Sequence, residues 1–120
     1  MLRVYVAGAY TADNPIKLFG NMRRGMKLAM KVFQKGMAPF TPWFDYHFFL
    51  LGDEKFPKVH DFYAYSIAWL EASDAVLVVP ENVEGSKGTK KEIARAEELG
   101  IPVFWSMKEL LKFKKTKEAE

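Results

Sequence analysis

The sequence predicts a three-layer α/β fold, flavodoxin- or Rossmann-like, with a parallel sheet of four to five strands and helices on both faces. Three observations carry this. Short apolar runs alternate with longer stretches of helical spacing from one end to the other. Ala75–Val79 (AVLVV) is wholly apolar between Asp74 and Pro80, as a central strand buried on both faces must be. The strand–helix alternation also calls for right-handed crossovers, which make neighbouring strands parallel. The 120 residues fit one domain, 1–120.

The elements follow in order. Leu2–Ala7 (LRVYVA) is a buried strand closed by Gly8. Asn14 caps and Pro15 opens a long helix that Gly36 ends. Its apolar stripe is read as Leu18, Met22, Met26, Ala29, Met30 and Phe33, a core face. Met37–Thr41 is a second strand, ended by Pro42. Trp43–Lys58 has no clean period and reads as a long aromatic loop, of the kind that forms pocket walls. Val59–Ser73 is a helix through Phe62, Tyr63, Ile67 and Leu70, and Ala75–Val79 follows as the central strand. Ser86 starts a helix that runs to Gly100, Ile101–Trp105 is the fourth strand, and Ser106 with Glu109 forms a capping box for the last helix.

Composition narrows the function. With 49% hydrophobic and 28% charged residues the chain is a globular protein and not a disordered one. The lack of cysteine excludes a disulfide scaffold, a thiolate metal site and a cysteine nucleophile. His47 and His60 have no close third ligand, so no metal is expected. No apolar run approaches the roughly 18 residues of a membrane helix, and the N-terminus does not read as a signal peptide. A cytoplasmic protein without a membrane partner is expected. The net charge of +3 is mild, and Lys112, Lys114, Lys115 and Lys117 read as a solvated helix end. That argues against a nucleic-acid polymer as partner and for a small anionic molecule.

Ligands of such sheets sit beyond the carboxyl ends of the strands. The most informative stretch there is Glu84–Glu92 (EGSKGTKKE). Ser86 caps the helix, Gly88 leaves its first turn bare, and the free N–H groups favour an anion. Ser and Gly also begin many helices for capping alone. Gly88 and Glu92, four apart, share a face, and Glu92 joins a stripe with Ala96 and Leu99. A carboxyl at the edge of an apolar face, in a partly dry pocket, would have its basicity raised. A surface glutamate paired with Lys or Arg is the alternative.

Tyr5-Val-Ala-Gly8 and Ser86-x-Gly88-x-x-x-Glu92, followed by Ala94, Ala96, Gly100 and Ile101-Pro-Val, resemble the nucleoside 2-deoxyribosyltransferase superfamily, including its nucleoside 5′-monophosphate N-glycosidases. The likeness runs from about Arg3 to Glu109. It implies cleavage or transfer at the N-glycosidic bond of a (deoxy)nucleoside or, preferred, its 5′-monophosphate, without a cofactor. Glu92 matches the glutamate that attacks the anomeric carbon, and Tyr5 the tyrosine that orients it. Ser86 matches a phosphate-binding serine. Gly8, Ala9, Thr11, Ser86 and Gly88 are the expected substrate- and phosphate-binding positions. The G-T-x-x-E run also resembles the cytokinin-activating phosphoribohydrolases, but Val83 and Glu84 stand where that family has a Gly-Gly pair.

Two positions depart from the pattern. Ser66, eight residues ahead of Asp74, stands where the superfamily carries an aspartate, and Thr11 where the deoxynucleotide hydrolases carry an arginine. A serine cannot act as a carboxylic acid; Asp61 lies five residues earlier and off Ser66's helical face, Asp45 in the aromatic loop is another candidate substitute, and departure of the base without strong protonation is the alternative. Catalytic roles are therefore expected of Glu92, Tyr5 and the Ser66 position, and base contacts of Trp43, Phe44 and Asp45. A non-catalytic nucleotide-binding module on the same fold is the alternative. The resemblance and the aromatic excess also imply a homodimer or larger homo-oligomer.

Overall fold

The computed structural model describes residues 1–120. Four parallel strands, β1 (Arg3–Ala7), β2 (Ala38–Phe40), β3 (Ala75–Val78) and β4 (Val103–Phe104), form one sheet in the order β2-β1-β3-β4. Five helices connect and flank them: α1 (Pro15–Gln34), α2 (Tyr46–Leu51), α3 (Val59–Glu71), α4 (Lys87–Glu98) and α5 (Met107–Ala119). The chain moves from β1 outward to β2, then returns to place β3 on the other side of β1. The gap between β1 and β3 is thus the switch point, where the following loops diverge and leave a crevice. The register sets Tyr5 beside Val76 and Ala7 beside Val78.

The period of two in β1 divides the core. Val4 and Val6 point to one face, where they pack with Ala29 and Val32 of α1, Leu110 of α5, Met37, Trp43 and Leu77. Tyr5 and Ala7 point to the other, with Leu70 of α3, Ala96 of α4, Val76, Val78 and Val83.

The segment after β2 is more ordered than its lack of period predicts. Pro42–Asp45 forms a 3-10 turn that leads into α2. Its anchor is Trp43, 2% exposed. A Cβ on Gly25 would fall inside the Trp43 indole, and one on Gly8 would stand 2.9 Å from it. Both glycines therefore let backbone lie against that ring.

The buried face of α1 is turned from its predicted orientation. Its buried residues are Asn21, Gly25, Ala29 and Val32, whereas Met26, Met30 and Phe33 are exposed. The indole needs a residue without a side chain opposite it, so Gly25 faces the core and Met26 and Met30 rotate outward. On α4 Glu92 and Ala96 are buried as read, joined by Thr89, and of that stripe only Leu99, at the C-terminal cap, is exposed. No helix is long and apolar enough to cross a membrane.

Candidate active site

At the carboxyl edge of the sheet lies an open cavity of ≈ 570 Å³. The loop after β1 contributes Gly8, Tyr10 and Thr11, and the turn after β2 contributes Pro42 and Asp45. Gly85, Ser86, Gly88, Thr89 and Glu92 come from the start of α4. The amino-terminal half of α3 adds Val59, Phe62, Tyr63 and Ser66, which recur at helical spacing and form one face.

Glu92 lies in the second turn of α4, on the face toward the sheet, and is 5% exposed. Its Oε2 accepts a hydrogen bond from the hydroxyl of Tyr5, which is wholly buried on β1. Burial pushes the Glu92 carboxyl up to about 7, and the Tyr5 donor holds it back in part. Tyr5 is pushed well above the usual phenol range, first by burial and then by the Glu92 charge, so it remains a donor. Ser66, buried on α3, lies beside the same tyrosine and works against the rise of its pKa. Tyr5, Ser66 and Glu92 thus form one group, contributed by β1, α3 and α4.

A second carboxyl lines the cavity. Asp45 is 3% exposed, and its Oδ1 accepts from the Tyr10 hydroxyl at 3.3 Å. Burial lifts this carboxyl to about 6, against the lowering effect of Tyr10. Asp45 also raises the Tyr5 pKa through its charge, so the two carboxyls act on the same tyrosine.

The α4 end of the cavity suits an anion. Ser86 Oγ accepts from the Thr89 backbone N–H at 3.2 Å and lies 2.6 Å from Thr89 Oγ1. The serine side chain is thereby committed to the Thr89 N–H of its own helix, which leaves the N–H groups of Lys87 and Gly88 and the helix dipole for an anion. A Cβ on Gly88 would meet nothing within 4 Å, so the backbone is open to approach. Lys87, the first residue of α4, also lines the cavity, as does Lys58 at the start of α3, whose ammonium donates to the Glu54 carbonyl. At the other end Phe49 stacks on Phe62, with ring centroids 4.2 Å apart and 15° between planes. That pair is a flat apolar platform of the kind on which bases stack.

The cavity brings together most of the residues singled out in the sequence. Gly8, Thr11, Asp45, Ser66, Ser86, Gly88 and Glu92 line it, and Tyr5 stands behind Glu92. Three expected contacts are corrected. Trp43 is a core residue, stacked on Tyr10 and packed against Gly8 and Gly25. Phe44 does not line the cavity and packs edge-on against Phe40. Ala9 is buried and does not line the cavity. Among these loop aromatics Phe49 is the one that reaches it.

Sequence reading missed Tyr10, Lys58, Phe62 and Tyr63 as wall residues. The signal for the last two was present: Val59, Phe62, Tyr63 and Ser66 fall at i, i+3, i+4 and i+7. A second hollow of ≈ 440 Å³ lies between α2 and α3 and shares Pro57 and Phe62 with the first. It is mostly apolar and holds none of the Tyr5, Ser66 and Glu92 group, so the first is the candidate site.

The fold and cavity define a flavodoxin-like α/β protein with a ligand crevice at its switch point. The chain belongs to the family described as "Domain of unknown function (DUF7768)", whose match spans residues 2–106. No curated protein sequence matches it. Among solved structures it is similar to a 2-deoxyribosyltransferase from the psychrotolerant bacterium Bacillus psychrosaccharolyticus, with a TM-score of 0.60 and 14% identity. That likeness covers 84% of this chain and 69% of that one, and it shows a shared fold.

Proposed function

We propose that this protein cleaves or transfers the N-glycosidic bond of a nucleoside 5′-monophosphate, with Glu92 as nucleophile. The observation that carries this is the buried Tyr5–Glu92 pair beside the bare first turn of α4. A 5′-phosphate placed on the Ser86–Gly88 backbone would leave its sugar over Glu92, and the base would extend toward Phe49 and Phe62. Departure of the base leaves positive charge on the anomeric carbon. The Glu92 carboxylate stabilises that charge and traps it as a glycosyl ester. Water or a second base then attacks the same carbon and frees the glutamate.

The fold shared with a 2-deoxyribosyltransferase supports this reading. The phosphate preference rests on Lys87 and the open start of α4. Ser66, in place of the superfamily's aspartate, favours a second reading: a nucleotide-binding module that does no chemistry.

One experiment decides between them. The protein is incubated with a panel of nucleosides and their monophosphates, and free base is followed by chromatography. Base release from at least one monophosphate is expected, falling by roughly a thousandfold or more in Glu92→Gln, as loss of a nucleophile predicts. Thermal stabilisation by nucleotides with no base released would leave the binding module. A folded Glu92→Gln variant with unchanged turnover would end the glycosidic reading.

A further inference from the structure

Glycosidic cleavage at Glu92 raises a problem that the Tyr5, Ser66 and Glu92 group does not solve. The departing ring nitrogen takes the electron pair of the broken bond, and most bases leave poorly as anions. A proton is needed at the base end of the cavity. Ser66 cannot supply it, since a hydroxyl is far too weak an acid. Lys58 and Lys87 also line the cavity, but the Lys58 ammonium is already committed to the Glu54 carbonyl and Lys87 belongs to the start of α4.

Resting on the reading of Glu92 as nucleophile, we infer that Asp45 is the general acid that protonates the leaving base, replacing the carboxyl absent at Ser66. Its placement supports this. The 3-10 turn follows β2 and α4 follows β3, so Asp45 and Glu92 reach the cavity from elements that flank β1 on its two sides, and a sugar bound over the end of β1 would lie between the two carboxyls. Trp43 fixes this turn by burying its indole against α1. Asp45 Oδ1 is held by the Tyr10 hydroxyl, and Oδ2 accepts no hydrogen bond from the protein. One oxygen is positioned and the other is free for a ligand. Phe49, four residues on, belongs to the aromatic pair at the base end.

The step balances. The C1′–N bond breaks as a Glu92 oxygen bonds to C1′, and the base nitrogen takes the Asp45 proton and departs neutral. Asp45 is left as a carboxylate, with Tyr10 donating to it. In the second half, water attacks C1′, its proton passes to Asp45, and Glu92 departs as a carboxylate. The net change is water plus nucleotide giving base plus sugar phosphate, with both carboxyls restored.

Burial raises both carboxyls, Asp45 to about 6 and Glu92 to about 7. Near pH 6.5 the two share about one proton, and the reactive form carries it on Asp45.

The test uses leaving bases that need no proton. Wild type and Asp45→Asn are compared on each ordinary monophosphate that the wild type cleaves. They are also compared on its N7-methyl derivative for a purine, or its 5-nitro derivative for a pyrimidine. Asp45→Asn is expected to lose about 100-fold or more on the ordinary nucleotide and to stay within about fivefold of wild type on the activated one. Asp45→Glu, which keeps an acid, should recover part of the ordinary rate, and thermal melts confirm that each variant is folded. Equal losses on both substrates would make Asp45 a binding residue and overturn the inference. So would an unchanged rate on the ordinary one. A wild type that releases base from neither ends the glycosidic reading, and this one with it.

Discussion

The two faces of the sheet are built from the same strands and differ in what they bury. Toward α1 and α5 the side chains of β1 and β3 are Val4, Val6, Ala75 and Leu77, packed on Ala29, Val32 and Leu110. Toward α3 and α4 the same strands present Tyr5 and Val76, and the layer includes Ser66, Thr89 and Glu92, all nearly inaccessible. The first face removes mainly hydrocarbon from water and buries no ionisable group, although the Trp43 indole N–H in it has no partner, and this burial is where folding free energy comes from. The second holds an ionisable carboxyl whose charged form the site disfavours. One face stabilises the fold, and the other spends part of that stability on a reactive group, as functional sites commonly do.

Leu110→Ala tests the first half of this comparison and has the largest expected effect. Leu110 is fully buried and reaches the sheet from α5, on the side away from the cavity. Truncation should lower the unfolding free energy by about 2–5 kcal/mol, the usual range for a buried leucine. Urea melts measure this. Base release per folded molecule should stay at the wild-type value. A small loss of stability, or a changed turnover, would show that the two faces are not separable.

Glu92→Gln should act in the opposite direction. The folded carboxyl keeps its proton up to about 7, whereas its ordinary value is 4.5. Between those values the folded state binds more protons than the unfolded one, so stability falls as pH rises, and the full penalty persists above about 7. The neutral glutamine has no such penalty and still accepts from Tyr5. The variant should gain on the order of 2–3 kcal/mol at pH 8 and little at pH 4.5. Denaturant melts at the two pH values check it. An equal shift at both would assign the effect to packing and not to charge.

The same contrast explains what was legible in the sequence. Strands and their order follow from local signals: AVLVV between Asp74 and Pro80, or Asn14-Pro15 before a helix. Glu92 was legible because its spacing from Ser86 and Gly88 lies within one helix. The orientation of α1 was not. Met26, Met30 and Phe33 outrank Gly25 in hydrophobicity, but the decisive contact is with Trp43, from another element. The aromatic segment failed for a related reason. Its residues serve the core (Trp43), the outer side (Phe44) and the cavity (Asp45, Phe49) in turn, and a short turn that divides its side chains three ways has no period. Tyr10 shows the limit most clearly. Its role depends on a carboxyl 35 positions away, and only the fold brings them together.

Tyr5→Phe is the smallest change and tests whether the tyrosine tunes the glutamate or only fills space. The ring stays, with its contacts to Phe40 and the α3–α4 layer, so packing is preserved. What is lost is one buried hydrogen bond, worth about 1 kcal/mol where Glu92 is protonated. Where Glu92 is ionised the loss is larger, because a buried carboxylate is left without its donor. The Tyr5 hydroxyl lowers the Glu92 pKa, so its removal must raise it above about 7. Turnover that requires ionised Glu92 should therefore begin at higher pH, and the acidic limb of the pH–rate profile should move upward. A phenylalanine that only fills space would leave that limb in place and lower the rate, if at all, equally at every pH. A shifted limb with a near-normal plateau would mark Tyr5 as the group that keeps a buried carboxyl usable near neutrality.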